Sequence, residues 1–142
     1  MKIIALVILF ILLFFRIKGT PSMLSKTLYK KKMQKAIDKQ NETTNGEELS
    51  DVYKGAAILI VLFMELFLIT FYAVLGTRLG TTPIIILSVL QIITCIYNLV
   101  KNLNNKAFSR NVEDFKFYRL YFLFNVVLDY IYYPLTIYML LK

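Results

Sequence analysis

The sequence predicts an all-α, polytopic membrane protein with about four transmembrane helices and a basic amphipathic cytoplasmic segment. Three observations lead there. Of 142 residues, 58% are hydrophobic, and the mean hydropathy of +0.60 exceeds that of ordinary soluble domains. The apolar residues gather into nearly uncharged runs, and about 20 helical residues cross the ~30 Å of a bilayer's hydrocarbon. The basic residues, which give a net charge of +8, gather between those runs.

The first run, Ile3–Ile17, is short but almost purely Ile, Leu, Val and Phe. Lys2 followed by Ile3–Phe15 also has the form of a signal peptide, a basic residue before a short apolar stretch. No small-x-small cleavage site follows, because the chain continues FFRIKGTPS, so an uncleaved signal anchor over residues 1–17 is the expectation.

Residues 18–54 form the basic loop. Thr20 and Pro21 suit the cap and first turn of a helix across Pro21–Gln40. Leu24, Leu28, Tyr29, Met33, Ala36 and Ile37 make an approximate apolar stripe, with Lys26, Lys30, Lys31, Lys32, Lys35 and Lys39 around it. Such a helix suits the membrane surface, where each lysine gains about 1 kcal/mol from anionic headgroups. Those lysines are the candidate contacts to lipid or to a partner; the plainer reading is a solvated face that sets topology. Asn41–Ser50 (NETTNGEELS) is polar and turn-prone and reads as a linker.

Residues 55–142 read as a three-helix transmembrane bundle with spans at 56–75, 83–100 and 118–141. Pro83 suits the opening turn of the third span. The loop Lys101–Lys116 mixes Ala107, Phe108, Val112 and Phe115 with charges, as an interfacial segment does. Fourteen basic residues fall in the loops after the first and third spans, against Lys2, Arg78 and Lys142 elsewhere. The positive-inside rule then places both basic loops in the cytoplasm. A multi-pass protein of the plasma membrane follows, with an organellar inner membrane as the alternative. The sequon Asn41-Glu42-Thr43 would be cytoplasmic and unmodified; its glycosylation in a eukaryotic host would invert the topology.

The absences narrow the chemistry. With no His and one cysteine, Cys95, the chain has no His-based metal or haem site, no Ser-His-Asp triad and no intramolecular disulfide. No phosphate-binding loop or hydrolase signature is present. We therefore expect no cofactor, no metal and no enzyme activity, and the basic segment belongs to no recognised nucleic-acid-binding fold.

Two acids lie deep in apolar runs, Glu65 and Asp129, where a charge costs roughly 2.5–3.5 kcal/mol on insertion scales. Helical spacing extends them into stripes. Tyr118, Tyr121, Asn125, Asp129, Tyr132 and Thr136 share one face of the last span. Ser88, Gln91, Thr94 or Cys95, Asn98 and Asn102 share one face of the third. Tyr130, Tyr133 and Tyr138 fall outside the stripe and suit either association with a partner or interfacial anchoring near the outer end. Neither acid has a basic residue to pair with within its own span, and Glu65, Gln91 and Asp129 fall at similar depth. A buried polar seam of Glu65, Gln91, Asn98, Asn125, Asp129 and Tyr132 is the candidate site, and Pro134 one turn beyond Asp129 suggests a kink.

Two functional expectations result. The first is a small non-enzymatic protein acting through helix–helix association, as subunit, regulator or immunity-type partner of another membrane protein or as a homo-oligomer. The second is a small proton- or cation-coupled transporter or holin-like pore using Glu65 and Asp129.

Overall fold

The computed structural model describes residues 2–43, 51–103, 109 and 111–142, with Asp51 by its backbone alone. Among these lie α1 (Lys2–Leu24), α2 (Lys26–Thr43), α3 (Asp51–Leu79), α4 (Thr82–Asn102), a 3-10 turn at Val112–Asp114 and α5 (Arg119–Leu141). All but α2 and the 3-10 turn are long and apolar enough to cross a membrane, as a multi-pass membrane protein requires. Residues 44–50 of the expected linker lie outside the described residues, as do Lys106, Ala107, Phe108 and Arg110 of the second basic loop.

The first helix departs most from its sequence reading. It continues past Ile17 to Leu24, through Pro21. A run of about 15 residues is too short for the hydrocarbon, and the added turns bring α1 to roughly 35 Å at 1.5 Å per residue. Pro21 therefore sits inside α1 rather than opening the basic helix, which begins at Lys26. The Thr20 hydroxyl donates to the Arg16 carbonyl at 2.8 Å and that of Ser22 to the Gly19 carbonyl at 2.8 Å. These bonds serve carbonyls of the turn that the proline disturbs.

α3 and α4 form a hairpin with a short connection at Gly80 and Thr81. Gly80 has φ +60°, the left-handed conformation that closes a helix most cheaply with glycine. Pro83 lies in the first turn of α4, as its missing N–H allows. Gly76 brings the two helices close: a Cβ there would stand 3.0 Å from the Ser88 side chain.

The packing runs in sequence, α3 on α4, α4 on α5 and α5 on α1, while no extended contact joins α1 to α3. Near the outer end of the expected topology these helices share an apolar cluster. Leu9, Tyr72, Leu75, Ile84, Tyr132 and Leu140 are buried in it. α5 continues unbroken through Pro134, which lies on its exposed side, so the fold accommodates that residue without ending the helix.

A candidate site in the polar interior of the bundle

The polar seam is built helix against helix. Gln91 Nε2 donates to Asp129 Oδ1 at 2.5 Å, linking α4 to α5. One turn away Ser88 and Tyr132 share a hydrogen bond of 3.0 Å. Toward the basic side the Tyr121 hydroxyl donates to Asn98 at 2.6 Å, and Asn125 donates to the Tyr121 carbonyl at 2.9 Å. Ser88, Gln91, Thr94, Asn125, Asp129 and Thr136 are all buried. Apolar surroundings cannot satisfy such groups, so they pair with one another.

Asp129 has a second partner that the sequence reading did not assign. The Arg16 guanidinium of α1 pairs with Asp129 Oδ2. Arg16 reads as the first member of a basic flank, but it lies eight residues inside the true end of α1. Asp129 lies ten residues inside α5. At 1.5 Å per residue the two sit at comparable depth, about 12 and 15 Å from their helix ends. The expectation of two unpaired acids is corrected here, because Asp129 is neutralised from a helix distant in sequence. Within α1 Arg16 also reaches Met23 Sδ at 2.9 Å; Thr20 and Tyr130 meet at 3.2 Å, so α1 docks on α5 through this contact and the Arg16–Asp129 pair as well as Leu9.

Tyr133 is a second correction. Placed outside the polar stripe by the sequence reading, it is buried and shares a 2.9 Å hydrogen bond with Tyr72 of α3. It follows Asp129 by four residues, the helical step that puts side chains on one face, so its place in the seam was available from spacing. Tyr138 is exposed, as a lipid-facing aromatic would be, and Tyr118 at the other end of the stripe is exposed too.

Glu65 stands apart. It is half-buried on α3, and its Oε2 is buried without a hydrogen-bond partner among the described residues. It lines a cavity of about 360 Å³ bounded by all five helices. Arg16, Gln91, Asn98 and Asn125 are polar walls of that cavity, and Leu12, Phe15 and Leu68 are apolar ones. Tyr72 and Tyr133 also line it, and both belong to the buried cluster. Lys32 is its contribution from α2. The volume lies in the range of ordinary small-molecule pockets.

The expected surface lysines fall into different environments. Lys26, Lys31, Lys32, Lys35 and Lys39 are exposed on α2, and Lys32 also lines the cavity. Lys30 Nζ donates to Glu113 Oε1 at 2.7 Å and ties α2 to the 3-10 turn. That hydrogen bond, with the lysine's charge, holds the Glu113 carboxyl below the usual range. Tyr29 adds ring contacts to Phe117 and Phe122, with centroids 5.5 and 5.3 Å apart. The buried stripe residue of α2 is Ile37.

No grouping of Cys, Asp and Glu suited to a metal ion occurs among the described residues. No protein-family model, curated protein or solved structure matches the chain.

Proposed function

We propose that this is a small non-enzymatic membrane protein that works by binding, its cavity taking up a small cationic or cation-bearing polar solute at Glu65. The observation that carries this reading is the unpartnered Glu65 oxygen inside a polar cavity of about 360 Å³. The other deep acid is occupied: Asp129 is held by Arg16 and Gln91 and serves to fasten α1, α4 and α5 together. Glu65, rather than Asp129, is then the acid free to take a proton or cation. Arg16 and Lys32 line the same cavity; the charge of Arg16 is paired with Asp129, and Lys32 is exposed on α2.

The test is binding and flux with a defined probe. The purified full chain is reconstituted in liposomes, and methylammonium, sodium and potassium gradients are imposed in turn. Wild type is expected to give saturable uptake of at least one probe, and Glu65→Gln to abolish it while keeping the helical circular dichroism of wild type. Absence of uptake together with absence of probe binding to the detergent-solubilised protein would refute the reading.

Association with another membrane protein is the second reading, favoured by the lack of extended contact between α1 and α3. It predicts that Glu65→Gln leaves probe behaviour unchanged and weakens co-purification of a membrane partner.

A further inference from the structure

A second cavity, of about 470 Å³, lies beside the basic end of the bundle and shares only Asn98 with the cavity at Glu65. Its walls come from α2, the end of α4, the segment after the 3-10 turn and the start of α5. Tyr29, Phe115, Tyr118, Tyr121 and Phe122 make it aromatic, and Lys101 and Lys116 make it basic.

The charges here are unevenly committed. Asp114 also lines the cavity and accepts a hydrogen bond from the Ser109 hydroxyl; it keeps its negative charge, which the two cations Lys101 and Lys116 outnumber. Glu113 nearby is bound to Lys30. Neither Lys101 nor Lys116 pairs with an acid among the described residues. The Lys101 ammonium is instead held over aromatic faces, 5.3 Å from the Tyr118 ring and 5.9 Å from those of Tyr121 and Phe122. Ring faces attract a cation but leave its charge without a counter-anion.

We infer that this cavity is a binding site for a phospholipid with a net anionic headgroup, its phosphate on Lys101 and Lys116 and the start of its acyl chains against the aromatic wall. The position supports a lipid over a soluble phosphate. Lys101 closes the last turn of an apolar span, and the aromatic rings beside it provide the surface that belts of Tyr and Phe offer at a membrane boundary. A basic pocket between helix ends is also a headgroup site in physical terms, because phosphate and ammonium meet where water is scarce. The site differs from the exposed lysines of α2, which would attract any anionic surface without a pocket.

The test uses the full chain purified from membranes and examined by native mass spectrometry after exchange into phosphatidylglycerol or phosphatidylcholine. One phosphatidylglycerol should remain bound after washing that strips phosphatidylcholine. The Lys101→Gln/Lys116→Gln variant should lose it, while Lys35→Gln/Lys39→Gln, which alters two exposed α2 lysines, should retain it. All variants are compared by circular dichroism, and a loss of binding in a chain that keeps its helicity supports the site. Equal retention of the two lipids, or equal loss in both variants, overturns it. Inorganic phosphate at millimolar concentration should leave the lipid bound; its displacement by phosphate alone overturns the lipid assignment in favour of a free anion.

Discussion

Arg16 and Asp129 make the residue-scale argument most sharply. A guanidinium and a carboxylate removed from water repay their desolvation only when both are present and correctly placed. Arg16→Gln leaves Asp129 with Gln91 alone, and Asp129→Asn leaves Arg16 facing an amide. Each single variant is expected to lose about 3 kcal/mol of stability, and the Arg16→Gln/Asp129→Asn double variant less than their sum. Denaturation of the three variants in one detergent measures this; additive losses would mean that the two side chains do not act as a pair. The pairing explains how legible the seam was. Gln91, Asn125, Asp129 and Tyr132 were visible because helical spacing alone puts them on facing stripes. Arg16 was not, because its sequence neighbours place it in a basic flank. The signal available was the length of the first apolar run, too short to cross a bilayer without the residues that follow Arg16. Glu65 was visible as an anomaly, but that Arg16 pairs with Asp129 and not with Glu65 depends on how the helices meet.

At the scale of elements, the same chain shows two kinds of helix. The apolar helices were read correctly from composition, with ends extended where polar residues continue a helix that hydropathy would stop. α3 thus carries Lys54 near one end and Arg78 near the other. The basic helix α2 is held differently, by the Lys30–Glu113 bond and by Tyr29 on Phe117 and Phe122. A carboxyl held below its usual range contributes stability that is present above its ordinary titration near pH 4.3 and lost as pH falls through the lower folded value. Acidification below that point should loosen α2 from the 3-10 turn while the apolar helices persist. Amide hydrogen exchange read at successive pH values, corrected for the intrinsic rate, is expected to rise in α2 first, and Glu113→Gln should produce the same increase at neutral pH. Unchanged exchange in that variant would assign the docking of α2 to the aromatic contacts alone. Partners this distant in sequence, 83 residues apart, had no signature in the pattern of the chain.

For the whole molecule, polar pairing and apolar packing divide the interior. Leu9, Tyr72, Leu75 and Ile84 fill one end, and the polar cavity with Glu65 occupies the part approached by Lys32 of α2. Glu65 lines a cavity to which α2 contributes Lys32, while Leu9, Tyr72, Leu75 and Ile84 are packed toward the other end, so Glu65 is expected to be reached from the α2 side. Cysteine accessibility at position 65 tests it most directly. In a Cys95→Ser background, Glu65→Cys is reconstituted in sealed vesicles of known orientation and treated with a small thiol reagent that cannot cross the membrane. Modification from the side bearing α2, and protection from the opposite side, is the result expected. Protection from both sides, or modification only from the side opposite α2, would contradict it.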